Sequence, residues 1–146
     1  MRRHPVGVAV ATVEVEGTRL GLTIASLVAL SLDPPLVGIS VSRQAAFHEL
    51  LREAGGFAVS LLAGDQSGLA QHFARGIPPI ALWDGIGVRE TARGPLLDGA
   101  AGWLECGLES ELAAGDHTFF VGHVERAETG ADATALLRLG GEYRPA

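Results

Sequence analysis

Two apolar strands with only two residues between them leave this chain few folds to choose from. Val6, Val8 and Val10 share one face of a first run, and Val13 and Val15 fall on the opposite phase. In the second run Leu20, Leu22 and Ile24 alternate with Gly21, Thr23 and Ala25. A period of two is the mark of a half-buried strand. Between the runs stands Glu16-Gly17, a tight-turn pair, so the two make an antiparallel hairpin. A doubly wound parallel sheet needs a helix at that point, and there is no room for one. The change of phase between Val10 and Val13 predicts a bulge near Ala11-Thr12.

The second strand runs on into small residues and hydroxyls, Ser26 to Ser31, and stops at Pro34-Pro35. Proline cannot donate to a sheet ladder, so the pair marks a break before the next strand, Leu36 to Val41. The expected order is strand, small-residue loop, proline corner, strand. Backbone in such a loop comes close to a flat ligand, and the hydroxyls of Thr23, Ser26 and Ser31 suit its polar atoms. Ser40, Val41, Ser42 and Arg43 follow a strand, where backbone N–H groups and one guanidinium suit a phosphate. Each has a plainer reading: hydroxyls that satisfy nearby backbone, and an arginine in solvent.

Beyond Arg43 the chain predicts a helix, with Ser42 or Gln44 as its cap. Phe47, Leu50, Leu51 and Ala54 repeat at helical spacing and Gly55-Gly56 ends it. Phe57, Val59 and Leu61 make a fourth strand. Asp65 is the expected cap of a helix to Arg75, with Leu69, Ala70 and Phe73 inward. Residues 76–99 read as loop, with a short strand at Ile86 to Glu90. Two long strands follow, Ala101 to Leu112 and His117 to Arg126, joined through Gly115. A polar connector at 128–134 leads to a last short strand, Ala135 to Leu139. Hairpin spacing and two brief helices predict an all-β fold, an antiparallel barrel forming one domain over residues 1–146.

Several functions are excluded or disfavoured. The net charge is −6 and no basic run extends beyond Arg2-Arg3, so a nucleic-acid partner is not expected. No apolar run reaches the ~18 residues of a membrane helix. The single cysteine permits no internal disulfide. Cys106 shares the apolar face of Leu104 and Leu108, which reads as a buried thiol. The opening is basic then apolar, like a leader peptide, but Glu14 and Glu16 interrupt it; a first strand and a cytoplasmic location are expected. The five histidines show no H-x-x-x-H or H-E-x-x-H spacing, so no metal site is expected. His48 and His72 read as surface or partly buried helix residues. Trp83 and Trp103 read as core or as ring-stacking platforms. Dinucleotide, Walker and nucleophile-elbow motifs are all missing.

Thr23-Ile24-Ala25-Ser26 and Ser31-Leu32-Asp33-Pro34-Pro35-Leu36-Val37 together resemble the signature of the flavin reductase-like proteins. These have an FMN-binding split barrel and include reductase components of two-component flavin monooxygenases. The resemblance continues through Phe57 to Leu62, Gln66, Leu69-Ala70, Phe73-Ala74, Leu104-Glu105-Cys106, Gly115-Asp116-His117 and Gly140 to Tyr143. It implies a homodimeric antiparallel split β-barrel that reduces FMN or FAD with NAD(P)H and passes the reduced flavin to a monooxygenase partner. On the same resemblance Thr23, Ile24, Ala25, Ser26 and Ser31 contact flavin. Ser40, Val41, Ser42 and Arg43 hold it, and Phe73 and Ala74 flank it. His117 faces the flavin and helps place the nicotinamide, with Asp116 fixing its direction. By periodicity alone Phe73 is core and His117 an ordinary strand-start histidine. Two other readings stay open: a flavin-binding electron carrier without efficient NAD(P)H turnover, and a small ligand-binding barrel with no redox role.

Overall fold

The structure, a computed structural model, describes residues 1–131 and 134–146. The N-terminal strands are β1 (Val6–Gly7), β2 (Ala9–Val15) and β3 (Thr18–Ile24). Glu16 and Gly17 adopt φ of 50° and 83°, the primed turn whose twist matches a two-residue hairpin. The β2–β3 register runs unbroken from Ala9↔Ile24 to Val15↔Thr18, so the bulge expected at Ala11-Thr12 is absent. The phase change has a different cause: β2 is covered on both faces. Ala9, Ala11 and Val13 enter one core, while Val8 and Val10 enter a second. A strand buried on both sides has no polar face to alternate with.

The loop expected at 26–31 is mostly strand. β4 (Val28–Leu32) pairs with β5 (Pro35–Ser42), from Val28↔Gly38 to Leu32↔Pro35, with an irregularity between Ala29 and Ser31. β4 is an edge strand whose large apolar residues Val28, Leu30 and Leu32 alternate with Ala29 and Ser31 yet are exposed; the run is short and its apolar residues enter no core. Pro35 starts β5, a position where a missing donor is tolerated.

α1 (Ala46–Ala54) ends at Gly55, whose φ of 68° lets its N–H reach the Leu51 carbonyl at 3.1 Å. Neither expected residue caps its start. Ala45 is the N-cap, and the Ser42 hydroxyl instead accepts from the Gln44 N–H at 3.3 Å. After β6 (Gly56–Leu61), α2 spans Ser67–Ala74, shorter than the expected helix, with Gln66 rather than Asp65 at its N-cap. The Gln66 side chain accepts from the Ala63 N–H at 2.9 Å and donates to the Asp98 carbonyl at 2.8 Å.

The expected loop at 76–99 carries α3 (Pro79–Leu82) and a small hairpin, β7 (Val88–Arg89) with β8 (Leu96–Leu97). Two long strands follow, β9 (Gly102–Ala114) and β10 (His117–Thr129), turning at Gly115 with φ of 63°. β10 outlasts its expected end, and residues 132 and 133 of the predicted connector lie outside the described residues. β11 (Leu136–Leu139) returns through Gly140-Gly141 into an unexpected strand, β12 (Glu142–Pro145).

Every ladder among the described residues is antiparallel. One sheet runs β3-β2-β6-β9-β10-β5-β4, and a smaller one runs β1-β11-β12. The seven-stranded sheet curls around the core of Ile39, Leu51, Phe57 and Phe120, but no ladder joins its edges β3 and β4 among the described residues. The result is an antiparallel barrel split along one seam. α1 packs against β2, β3, β5 and β6.

Candidate functional site

The seam brings together most of the expected polar residues. In the β5–β10 ladder Ser42 faces His117 and Ser40 faces Phe119. Residues directly opposite share a face, so Ser40, Ser42 and His117 form a row on the outside of the sheet. Ser26 joins it from the β3–β4 connection: its hydroxyl accepts from the Ser40 N–H at 2.9 Å and donates to the Ser40 carbonyl at 3.2 Å. Val41 and Ile24 point the other way, into the core, so only their backbone is available to a ligand. Ser31 stands apart. It pairs with Leu36, six positions from Ser42, which is about 20 Å along an extended strand.

His117 is tied to its neighbour. Its Nδ1 lies 2.7 Å from Asp116 Oδ1. A carboxylate can only accept, so Nδ1 carries the proton and donates. That leaves Nε2 of this half-exposed ring without a hydrogen bond among the described residues, available to a ligand. The bond from His117, with Arg43 contributing charge, holds the Asp116 carboxyl below its ordinary value. Arg43 also donates its backbone N–H to the Asp116 carbonyl at 3.0 Å, which fixes the chain leaving β5 against the β9–β10 turn. Among the described residues the Arg43 guanidinium has no carboxylate within ion-pair distance.

Phe73 and Ala74 border a groove of about 350 Å³ along the open edge of β3, with Leu20, Leu22, Ala45 and Ile77. This groove begins two residues beyond Arg43, at Ala45. Phe73 itself is buried over Gly21, where a Cβ would stand 2.7 Å from its ring. Thr23 fixes α2 against β3 by donating from Oγ1 to the Ala70 carbonyl at 2.7 Å. The hydroxyls of Thr23 and Ser26 therefore satisfy protein backbone, as the plainer reading had it. Ala25 is exposed and lines a different cavity, with Arg2, His4 and Arg138.

The other candidates are structural. Cys106 is fully buried, and desolvation first, then nearby Glu125, pushes its thiol up to about 12. Trp83 Nε1 donates to the Arg19 carbonyl at 3.1 Å and Trp103 Nε1 to the Leu97 carbonyl at 2.8 Å, which anchors both rings. His48 is 4% exposed, more buried than expected, and its Nε2 lies 2.7 Å from Oγ1 of Thr118, the residue after His117. No local signal announces that pair, since 70 positions separate its members. Among the described residues no three His, Cys, Asp or Glu side chains converge as metal ligands. No helix of the structure is long and apolar enough to cross a membrane among those residues.

The family model described as flavin reductase like domain matches residues 1–146. The chain belongs to this family. It is 32% identical over 154 residues to an NADH:FMN oxidoreductase of Rhodococcus qingshengii, covering 99% of this chain and 78% of that one. It is 38% identical over 144 residues to an NADH-dependent FAD reductase of Streptomyces globisporus, covering 96% and 79%. Among solved structures, the flavin reductase component of a bacterial two-component tryptophan halogenase superimposes with a TM-score of 0.91 at 38% identity, covering 99% of this chain and 92% of that one. Members of the flavin reductase like family thus share both the sequence pattern and the split barrel of this chain.

Proposed function

We propose that this chain is an NAD(P)H-dependent flavin reductase that supplies reduced FMN or FAD to a partner monooxygenase. The observation that carries the reading is the row Ser40, Ser42 and His117 on the β5–β10 ladder, with Arg43 just after it and two residues before Ala45, which lines an apolar groove. The residues present fit a flavin. The Arg43 guanidinium, without an ion-pair partner among the described residues, and the start of α1, which none of their side chains caps, supply donors for a phosphate. The groove lined by Leu20, Leu22, Ala45 and Phe73 supplies apolar walls, and its volume falls in the ~300–1,000 Å³ range of ligand sites.

Flavin, when bound, supplies the hydride-accepting chemistry. The chain's own part is to bind and orient. Arg43 and Ser42 hold the anionic end, and the walls of the groove exclude water from the reacting face. His117, held in one tautomer by Asp116, offers Nε2 at the rim as a hydrogen-bonding group for the nicotinamide carboxamide. Hydride transfer needs no protein nucleophile, and the buried Cys106 takes no part.

The active form on this reading is a homodimer. Val28, Phe119 and Leu112 lie on the same outer face as Ser40 and His117, and Val28 and Leu112 are 42% and 65% exposed. A second copy seated there buries the apolar face and covers the site. The location is cytoplasmic and the functional unit is one domain. Anaerobic titration with NADH and NADPH tests the reading, by loss of the flavin absorbance near ~450 nm. Bleaching by either supports it. Flavin binding without bleaching makes the protein a carrier, and no flavin binding sinks both readings.

A further inference from the structure

Histidine aside, every cationic side chain of this sequence is an arginine: it has eleven arginines and no lysine. Six of them, including Arg89, Arg93 and Arg126 along the outer β9–β10 surface, are paired with glutamates. Among the described residues, Arg2 and Arg138 have no such partner, and they converge on one cavity of about 350 Å³. Among the described residues no acidic side chain lines it, although the chain as a whole is acidic.

The walls of this cavity are built. Arg2 Nη2 donates to the Gly140 carbonyl at 2.7 Å, and the Gly140 N–H donates back to the Arg2 carbonyl at 2.8 Å. The guanidinium lies over the Gly140-Gly141 turn, where a Cβ on Gly141 would stand 3.0 Å from it. Both glycines hold positive φ, 66° and 83°. Opposite, Arg138 sits 5.7 Å above the Tyr143 ring, its cross-strand neighbour, and faces Val6 on the other side. Val6 and Ala25 give the cavity an apolar floor, and His4 stands at its edge.

Ala25 connects this cavity to the seam. Its neighbour Ser26 is bonded to Ser40 in the polar row, so adjacent residues of one connection reach the cavity and the row. Arg43 serves one, and Arg2 with Arg138 serves the other. We propose that the Arg2–Arg138 cavity is a subsite for the diphosphate of a dinucleotide whose reactive end lies at the seam. Planar guanidinium forks pair with phosphate oxygens in two-point fashion, and two of them over an apolar floor suit a diphosphate joined to nucleosides. This rests on the flavin reductase reading. Two ligands carry that group: the nicotinamide co-substrate, and FAD but not FMN.

The test is equilibrium titration of the full chain, wild type and the variants Arg138→Gln, Arg2→Gln and Arg138→Lys, with NAD⁺, FAD and FMN at several salt concentrations. Arg138 and Arg2 are exposed, so neither variant endangers the fold. Each Gln variant is expected to weaken the dinucleotide about tenfold and flatten its salt dependence, with FMN affinity unchanged and the Lys variant partly restored. Loss confined to NAD⁺ assigns the subsite to the co-substrate, and loss confined to FAD assigns it to the flavin's adenylate half. Unchanged affinity for both dinucleotides in both Gln variants overturns the proposal, as does an equal loss of FMN. Wild-type titration with FMN separates the two readings: absence of FMN binding counts against the flavin site alone, while the NAD⁺ data still judge the cavity.

Discussion

One hydroxyl of Ser26 makes both hydrogen bonds to Ser40, accepting from its N–H and donating to its carbonyl. This is what a neighbouring strand residue would have done with its backbone. It joins the β3–β4 connection to β5 where the ladder between β4 and β5 has ended at Val28↔Gly38. The seam of the barrel is thus pinned by a side chain, and the pin stands in the polar row of the candidate site.

Ser26→Ala therefore tests structure before chemistry. It leaves the Ser40 amide and carbonyl without their partner and is expected to cost about 1 kcal/mol or somewhat more. Urea unfolding of the two proteins measures this, and an unchanged midpoint would contradict the pinning role. Ser26→Trp goes further. It fills the space beside the row and is expected to abolish FMN binding, a loss readable by fluorescence.

His117→Ala addresses the reaction. Losing one hydrogen bond of ~1 to 3 kcal/mol lowers kcat/KM for the nicotinamide roughly five- to 150-fold, with FMN affinity less affected. Steady-state kinetics at saturating flavin is the measurement. Wild-type values for both nicotinamides would remove His117 from the mechanism. Asp116→Asn is expected to act in the same direction but more weakly, because it changes only the grip on Nδ1.

Gly38 is a packing position disguised as a flexible one. A Cβ there would stand 2.0 Å from Cζ of the Phe119 ring. Gly38→Ala is expected to destabilise by about 1 to 3 kcal/mol through overpacking. The double variant Gly38→Ala with Phe119→Leu should recover much of that loss, and strictly additive effects in the cycle would show the two residues to be uncoupled.

Alkaline titration of stability isolates Cys106. Its folded value, raised to about 12 from 9.0, means that above pH ~9 the unfolded chain has lost this proton while the native chain keeps it. The unfolded state then binds fewer protons, so stability falls as pH rises, by about 1.4 kcal/mol per unit at most, until the folded value is reached. The absence of lysine leaves this range uncluttered, with one tyrosine as the other titrating side chain. Cys106→Ala should flatten the slope between pH ~9 and ~12 even where it lowers overall stability. An unaltered slope would exclude the thiol as its source.

The hairpin at Glu16-Gly17, α1 with its glycine stop and the long β9–β10 pair were legible because each is written in neighbouring residues. β4 was not, because an exposed edge strand has no buried face to mark it. The polar row was legible in pieces, and the register between Ser42 and His117 is what makes them one site. The groove beside Phe73 was hidden, because it depends on a ring packing on Gly21 from 52 positions away. The Arg2–Arg138 cavity joins the two ends of the described chain, and no local pattern encodes such a meeting.

The double burial of β2 has a consequence for how the molecule comes apart. Ala9, Ala11 and Val13 belong to one core and Val8 and Val10 to the other, so neither core can open while the other stays closed. Amide protons of residues 10–13 should exchange with solvent only through global unfolding, and at one common free energy. Ligand-induced protection, by contrast, should concentrate at the seam, whose edges β3 and β4 are held by fewer ladders. A protein whose centre opens all at once and whose edge opens locally can admit and release a large planar ligand many times in the lifetime of a single folded state.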